Sequence, residues 1–408
     1  MSHALVGTAR SPAVNPSSSV SEKPARPDTP STPAQADFAR LDRLRDELAG
    51  LFPVPEASVQ AYTEAAEALT RRVDAALAAR DDLPDLIGPA PVEAMHANHR
   101  HHIRFMQAVF DLNQPNLLVL TVPWVYRSYT SHGFSPDYFP VELEAWRSAV
   151  EDTLPAAAAE PVAAVYRWLV DHHEDHAALA QDPAVTPVRR TQRWSDEAQS
   201  LLSALLDADT KTALAQMTDA VRSRQDLARF GVQTAQPVMY AVGSLWERDQ
   251  ATVAQEHLAT AVVARGMAAA YMQCDAVPTS KGRALLTCAV DEHHELGGRI
   301  LADALEADGW ETTFLGANTP TADLVAMAAD LRPDLVGVSV AMAYNLPHAR
   351  GAIQAIRQHA ALARTRIMVG GLATAAAPEV WRPLGADGTA GDAREAVLLA
   401  QRWWKGAA

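Results

Sequence analysis

The sequence is poor in several things that would otherwise define a fold or a function. It has two cysteines in 408 residues, Cys274 and Cys288, so a disulfide framework is excluded as the basis of its stability. Neither lies in the N-terminal half, so a cofactor held there has no cysteine thioether to anchor it. No apolar run is long enough to span a membrane, for which about 20 residues are needed. The N-terminus has no basic stretch followed by an apolar one, which predicts no secretory signal and a cytoplasmic protein. Clustered lysine and arginine are also missing. The net charge is −14, and neither a basic stripe of the kind phosphate contacts require nor a helix-turn-helix pattern is evident, so direct binding of nucleic acid is disfavoured.

The polar, proline-rich segment 1–36 has no apolar period and predicts a disordered tail. Residues 37–185 are helical in pattern. Phe38, Leu41, Leu44, Leu48 and Leu51 recur at three- and four-residue spacing. Further helices are expected over Val59–Ala79, from Pro91 to Leu112, and over Leu117–Tyr129, Pro140–Leu154 and Ala158–Ala180. Residues 183–193, with two prolines and three arginines, predict a linker.

The spacing over 192–276 predicts a four-helix bundle: Trp194–Leu206, Thr210–Gln225, Leu227–Trp246 and Val253–Met272. Over 282–408 short apolar runs alternate with helical segments. The runs are Ala284–Val290, Glu311–Leu315, Leu335–Met342, Ile367–Val369 and Gly388–Gly391. That alternation predicts an α/β, flavodoxin-like (Rossmann-type) domain with strand order 2-1-3-4-5. The chain is therefore expected to be multidomain: an all-α N-terminal domain, a bundle, and a parallel-sheet domain.

In such a sheet, ligands sit beyond the carboxyl ends of strands 1 and 3. Three features fall there or beside it. Strand 1 is followed by Asp291-Glu292-His293-His294-Glu295-Leu296-Gly297-Gly298, strand 3 ends at Ser339, and strand 4 runs into Gly370-Gly371. Glycine lets a ligand approach the backbone, and a neutral imidazole is a good transition-metal ligand. A metal-bound histidine usually gives its other N–H to a carboxylate, and either Glu292 or Asp291 could accept it from His294. One histidine, one carboxylate and one serine suit a metal that arrives with its own equatorial ligands.

The pattern Glu292-x-His294-x-x-Gly297, with Ser339 and Gly370-Gly371, resembles the cobalamin-binding domain family. The stretch Phe314-Leu315-Gly316-Ala317-Asn318-Thr319-Pro320 is similar to it as well. The resemblance covers about residues 192–404. It implies that His294 is the lower axial ligand of cobalt and that the cofactor's own base lies in the sheet beside Ser339 and Gly370-Gly371.

In the bundle, Trp246 is followed nine residues on by Glu256-His257. This W-x9-EH spacing resembles the adenosylcobalamin-dependent photoreceptors. For those the resemblance implies a tryptophan over the upper face of the corrin and an acidic residue bonded to the adenosyl group. Glu247 stands where that family carries a second cobalt-binding histidine, so the ligand after photolysis is not implied here; His257 or water are the alternatives.

Eight of the fourteen histidines lie between residues 96 and 176, among aromatic residues and arginines. A helical domain without a DNA-binding element, ahead of a W-x9-EH module, resembles the photocobilins. That resemblance implies a globin-like N-terminal domain holding biliverdin, with His99, His102, Arg100, Arg104, Tyr126, Arg127 and Tyr129 as candidate contacts. It further implies a non-enzymatic light sensor, a homo-oligomer whose state depends on light, and an effector the sequence does not identify. A corrinoid carrier for methyl transfer, or a mutase subunit, is the alternative.

Overall fold

The computed structural model describes residues 38–182, 185 and 195–407. The expected tail and, apart from Val185, the expected linker lie outside these residues. The described residues fall into two compact units: 38–100 with 119–185, and 101–118 with 195–407.

The first unit draws on a series of helices: α1 (Phe38–Ala49), α2 (Glu56–Glu64), α3 (Ala66–Ala78), α4 (Leu83–Ile87), α5 (Val92–Asp111), α6 (Pro115–Ser131), α7 (Tyr138–Thr153), α8 (Ala156–Asp171) and α9 (His173–Gln181). Leu41, Leu44 and Leu48 are buried along α1, as their spacing requires. Two helices expected to be continuous are each split. The first breaks at Ala65. The second breaks at His172, where backbone N–H and ring Nδ1 both converge on the Trp168 carbonyl, at 3.1 and 2.9 Å. The core is aromatic: Tyr62, Tyr138, Trp146 and Tyr166 are fully buried. Each such ring removes roughly 150–250 Å² from water, on the order of 4–6 kcal/mol before entropic costs. Their polar tips are satisfied, with the Tyr62 and Tyr166 hydroxyls 2.6 Å apart and Trp146 Nε1 donating to Glu142 at 3.1 Å.

The second unit contains the 101–118 segment of α5 and α6, a helical bundle and the sheet domain. The bundle comprises α10 (Asp196–Leu206), α11 (Thr210–Ala220), α12 (Arg224–Phe230), α13 (Gln236–Glu247) and α14 (Val253–Gln273). Side-chain oxygens of Ser195, Asp209, Ser223 and Thr252 cap four of these helices, which is why each starts where it does. The helix expected over Leu227–Trp246 is interrupted by a π-helical turn, Gly231–Ala235. Ile300 packs there, and a Cβ on Gly231 would lie 3.1 Å from its Cγ2.

The sheet domain follows as β1 (Arg283–Cys288), α15 (Leu296–Ala307), β2 (Glu311–Phe314), α16 (Thr321–Leu331), β3 (Leu335–Ser339), α17 (Leu346–Gln358), β4 (Arg366–Gly370), α18 (Leu372–Ala376), α19 (Trp381–Leu384), β5 (Gly388–Ala390) and α20 (Ala393–Ala407). The strands are parallel in the order β2-β1-β3-β4-β5. This is the expected doubly wound arrangement, with its switch point between β1 and β3. Bundle and sheet domain share one apolar cluster, in which Leu205, Met217, Phe230, Val263 and Met267 meet Ile300 and Ala304 of α15 and Ala393 of α20.

Candidate functional site

The loop from β1 to α15 carries the chemistry. Glu292 is fully buried at its start. Its Oε1 lies 2.5 Å from His294 Nδ1 and also accepts the His294 backbone N–H at 3.1 Å. Its Oε2 accepts the backbone N–H groups of Ala341 and Met342, both at 2.9 Å, and Asn345 Nδ2 at 3.2 Å. Burial alone would raise this carboxyl. The bond to His294, its charge, and the N–H donors of Met342 and His294 outweigh burial and bring the carboxyl down to about 2. Of the two carboxylates left open by the sequence, Glu292 is the one on His294. Asp291, in the left-handed region at φ +61°, turns instead to Arg104, 2.9 Å away.

A carboxylate on Nδ1 fixes the imidazole tautomer and leaves the lone pair on Nε2, the form that ligates a metal. The His294 side chain is 45% exposed. Among the described residues no cluster of three or more His, Cys, Asp or Glu side chains could enclose a metal ion. This donor set fits a metal that brings its own equatorial ligands.

Ser339 ends β3, in register with Cys288 of β1 and Gly370 of β4. Burial pushes the Cys288 thiol up to about 12, so it is an inert neighbour. The glycines divide into two kinds. A Cβ on Gly297 would meet nothing within 4 Å, and one on Gly370 only the Ala390 carbonyl at 3.5 Å. Their bare backbone leaves room where a bulky cofactor can approach. Gly371, at φ +109°, would drive a Cβ to 2.3 Å from the Val340 carbonyl; it is required by the chain's own packing. The cradle at Gly297 and Gly370, with the oriented imidazole, fits a corrinoid.

Trp246 is the penultimate residue of α13 and is 4% exposed. Among the described residues it is not part of the bundle's apolar cluster. Glu247 beside it is also buried. On α14, Glu256 is half-buried and accepts Thr260 Oγ1 at 3.2 Å, while His257 is exposed with Nε2 3.6 Å from Glu256.

The seven N-terminal candidates fall in both units. His99, Arg100, Tyr126, Arg127 and Tyr129 belong to the first unit, His102 and Arg104 to the second. His99 is buried between Asp74, 2.5 Å from Nδ1, and the Tyr138 hydroxyl, 3.0 Å from Nε2. Arg100 is exposed and His102 half-buried. The Arg127 guanidinium donates to the carbonyls of Ala180, Asp182 and Val185, so backbone engages Nε and Nη2 of this candidate contact. Tyr126 stacks on Phe139 at 3.7 Å, and Tyr129 packs with Phe134, Tyr138 and Phe139. Sequence reasoning missed Asn345, Asn98 and the orphaned side of His176. His96 Nε2, the Asn98 amide, Ser128 Oγ, Trp168 Nε1 and both His176 nitrogens are buried without a hydrogen-bond partner among the described residues. Burial, with the nearby His172 and His173, holds His176 down to about 3.

Residues 282–398 match the family model for the B12 binding domain, and residues 197–271 match a second B12 binding domain model. The HTH-type transcriptional repressor CarA of Myxococcus xanthus is 40% identical over 87 residues, 21% of this chain and 30% of the repressor. Dimethylamine corrinoid protein 3 of Methanosarcina acetivorans is 27% identical over 165 residues, 40% of this chain and 76% of that protein. Among solved structures, the Methanosarcina barkeri monomethylamine corrinoid protein aligns at a TM-score of 0.41 and 18% identity, covering 50% of this chain and 95% of that one. The second unit therefore contains a cobalamin-binding domain, with the bundle and the sheet domain each matching B12 binding sequences.

Proposed function

We propose that this protein is a non-enzymatic light sensor that binds adenosylcobalamin, with His294 Nε2 as the lower ligand and Trp246, Glu256 and His257 toward the adenosyl side. The observation that carries the cobalt role is the 2.5 Å contact between buried Glu292 and half-exposed His294, which presets the ligating tautomer. Ser339, Gly297 and Gly370 line the approach. When bound, adenosylcobalamin supplies a cobalt–carbon bond that visible light breaks. The chain's own contribution is to hold the imidazole, shield the upper side with the Trp246 indole and keep a carboxylate, Glu256, within reach of ribose or adenine. Ile300 and Ala304 tie the bundle to the helix that begins two residues after His294. A change on either side is thereby passed to the other, and self-association with further copies of the chain is the output that suits it.

The resemblance to photocobilins adds a globin-like N-terminal domain and biliverdin. Support for a polar ligand there is the set of orphaned buried atoms around Asn98, Ser128, Trp168 and His176, since such groups are costly without a partner. The second reading is a corrinoid carrier for methyl transfer. It is favoured by the alignment that spans 76% of a dimethylamine corrinoid protein, and disfavoured by the buried Trp246, because a methyl carrier has no adenosyl group to cover.

The test is purification in darkness with adenosylcobalamin, with spectra and elution volume recorded before and after green light. The sensor reading expects a spectral conversion together with a shift in elution. No conversion under light rejects it, and methyl transfer from a methylated corrinoid supports the carrier. Co-expression with a biliverdin source is expected to yield a red-absorbing band that survives gel filtration; its absence removes the bilin.

A further inference from the structure

The buried carboxylate that holds His294 is itself held. Asn345, fully buried at the turn between β3 and α17, donates its Nδ2 both to Glu292 Oε2 and to the Asp291 carbonyl, each at 3.2 Å. Its Oδ1 accepts Arg104 Nη2 at 3.3 Å, and the same nitrogen donates to Asp291 Oδ2 at 2.9 Å. Arg104 lies on the second half of α5. Its guanidinium sits 5.1 Å from the Tyr344 ring centroid, and His101 stacks on that ring at 5.1 Å and 11°. Arg350 of α17 ion-pairs with Asp111 at the end of the same helix.

We propose that Arg104 is a positioning residue for the axial-ligand pair, acting through Asn345 on Glu292 and through Asp291 on the loop that bears His294. An asparagine amide can turn end for end with no change in shape. A turned Asn345 would set Oδ1 against Glu292 Oε2, two acceptors face to face. Arg104 has donors only, so it is satisfied by Oδ1 and selects the orientation that gives Glu292 its third donor. It also pairs directly with Asp291, the residue before Glu292. With Oε2 occupied, Oε1 stays aimed at Nδ1 of His294. The sequence separation, 241 residues from Arg104 to Asn345, makes the second half of α5 part of the cofactor site.

Magnitude follows from the donors that remain. Ala341 and Met342 still hold Oε2 when Asn345 is lost, so the effect falls short of the roughly 10–100-fold typical of removing a ligand's direct partner. The inference is tested on the apoprotein by histidine-selective nitrogen NMR, with His294 assigned from His294→Gln. The native protein is expected to show the tautomer protonated at Nδ1. Arg104→Gln and Asn345→Ala are expected to move the two ring-nitrogen shifts of His294 toward each other and to weaken cobalamin retention about 3–10-fold, below the direct-partner range. Arg104→Lys, whose ammonium can serve both oxygens, is expected to restore most of the native pattern. Arg350→Ala loosens the same helix without touching Asn345 and is expected to leave the His294 shifts native.

Unchanged shifts in an Arg104→Gln protein with native circular dichroism would overturn the proposal, as would an equal change in Arg350→Ala. The inference rests on His294 being the ligand only in its retention arm. If the shifts move while His294→Ala retains cobalamin normally, the positioning role stands and the ligand reading falls.

Discussion

Each unit holds a histidine whose Nδ1 meets a carboxylate at 2.5 Å: His99 with Asp74 in the first, His294 with Glu292 in the second. The inner halves of the two pairs are alike and the outer halves are opposite. His99 is fully buried, and its Nε2 meets the Tyr138 hydroxyl with Glu142 3.9 Å away. His294 is half-exposed, at the switch point of the sheet. A carboxylate partner therefore does not by itself mark a metal ligand. What separates the two is which surroundings the second nitrogen faces. A third histidine, His176, has neither a carboxylate nor a polar cap on either nitrogen among the described residues and is held neutral by burial.

The comparison is broken most directly at His294. His294→Ala is expected to lower cobalamin retention by more than the roughly 10–100-fold characteristic of losing an outer-shell partner, measured by equilibrium dialysis. Retention at the native level would put His294 on a par with His99. Glu292→Gln comes next. The amide keeps the shape but has one acceptor oxygen where the carboxylate uses two, and about 10-fold weaker retention is expected.

Acid sharpens the contrast with His176. Its folded pKa, about 3, lies below the ordinary 6.5. Between those values the unfolded chain binds a proton that the folded one refuses, so stability falls as pH drops through this window. From pH 7 to pH 5 the loss reaches about 2 kcal/mol. Urea titrations at the two pH values measure it, and His176→Phe is expected to flatten that part of the slope. An unchanged slope in the variant would assign the acid sensitivity to other groups. The smallest effect is expected from Tyr138→Phe, which uncaps His99. A buried ring nitrogen left without its partner costs about 1 kcal/mol. Thermal unfolding is expected to register that loss while cobalamin retention stays native.

Local pattern made much of this architecture legible. The alternation from Ala284 to Trp404 implied the parallel sheet, and its order put Asp291–Gly298, Ser339 and Gly370 at one end. Glu292 and His294 stood out because a ligand and its carboxylate can lie two residues apart in one loop. Asn345 could not be found that way. Its role depends on Arg104, far away in sequence, and an asparagine before Leu346-Pro347 has the ordinary pattern of a helix start. The surroundings of Arg127 were hidden for a related reason. An arginine among aromatics gives no sign that its donors are engaged by carbonyls at and just beyond a helix end. Helix breaks were hidden as well. Ala65 interrupts an alanine-rich run whose composition favours continuity.

The π-helical turn at Gly231–Ala235 has a consequence for Trp246. An added residue advances everything downstream by about 100° around the helix axis. The bearing of the indole is thus set some fifteen residues upstream, by one residue of phase inserted where Gly231 meets Ile300. Removing one residue from that turn would point Trp246 elsewhere while leaving its sequence neighbours unchanged. If Trp246 covers the adenosyl side as proposed, that side is tuned by helical phase as much as by the residue that occupies it.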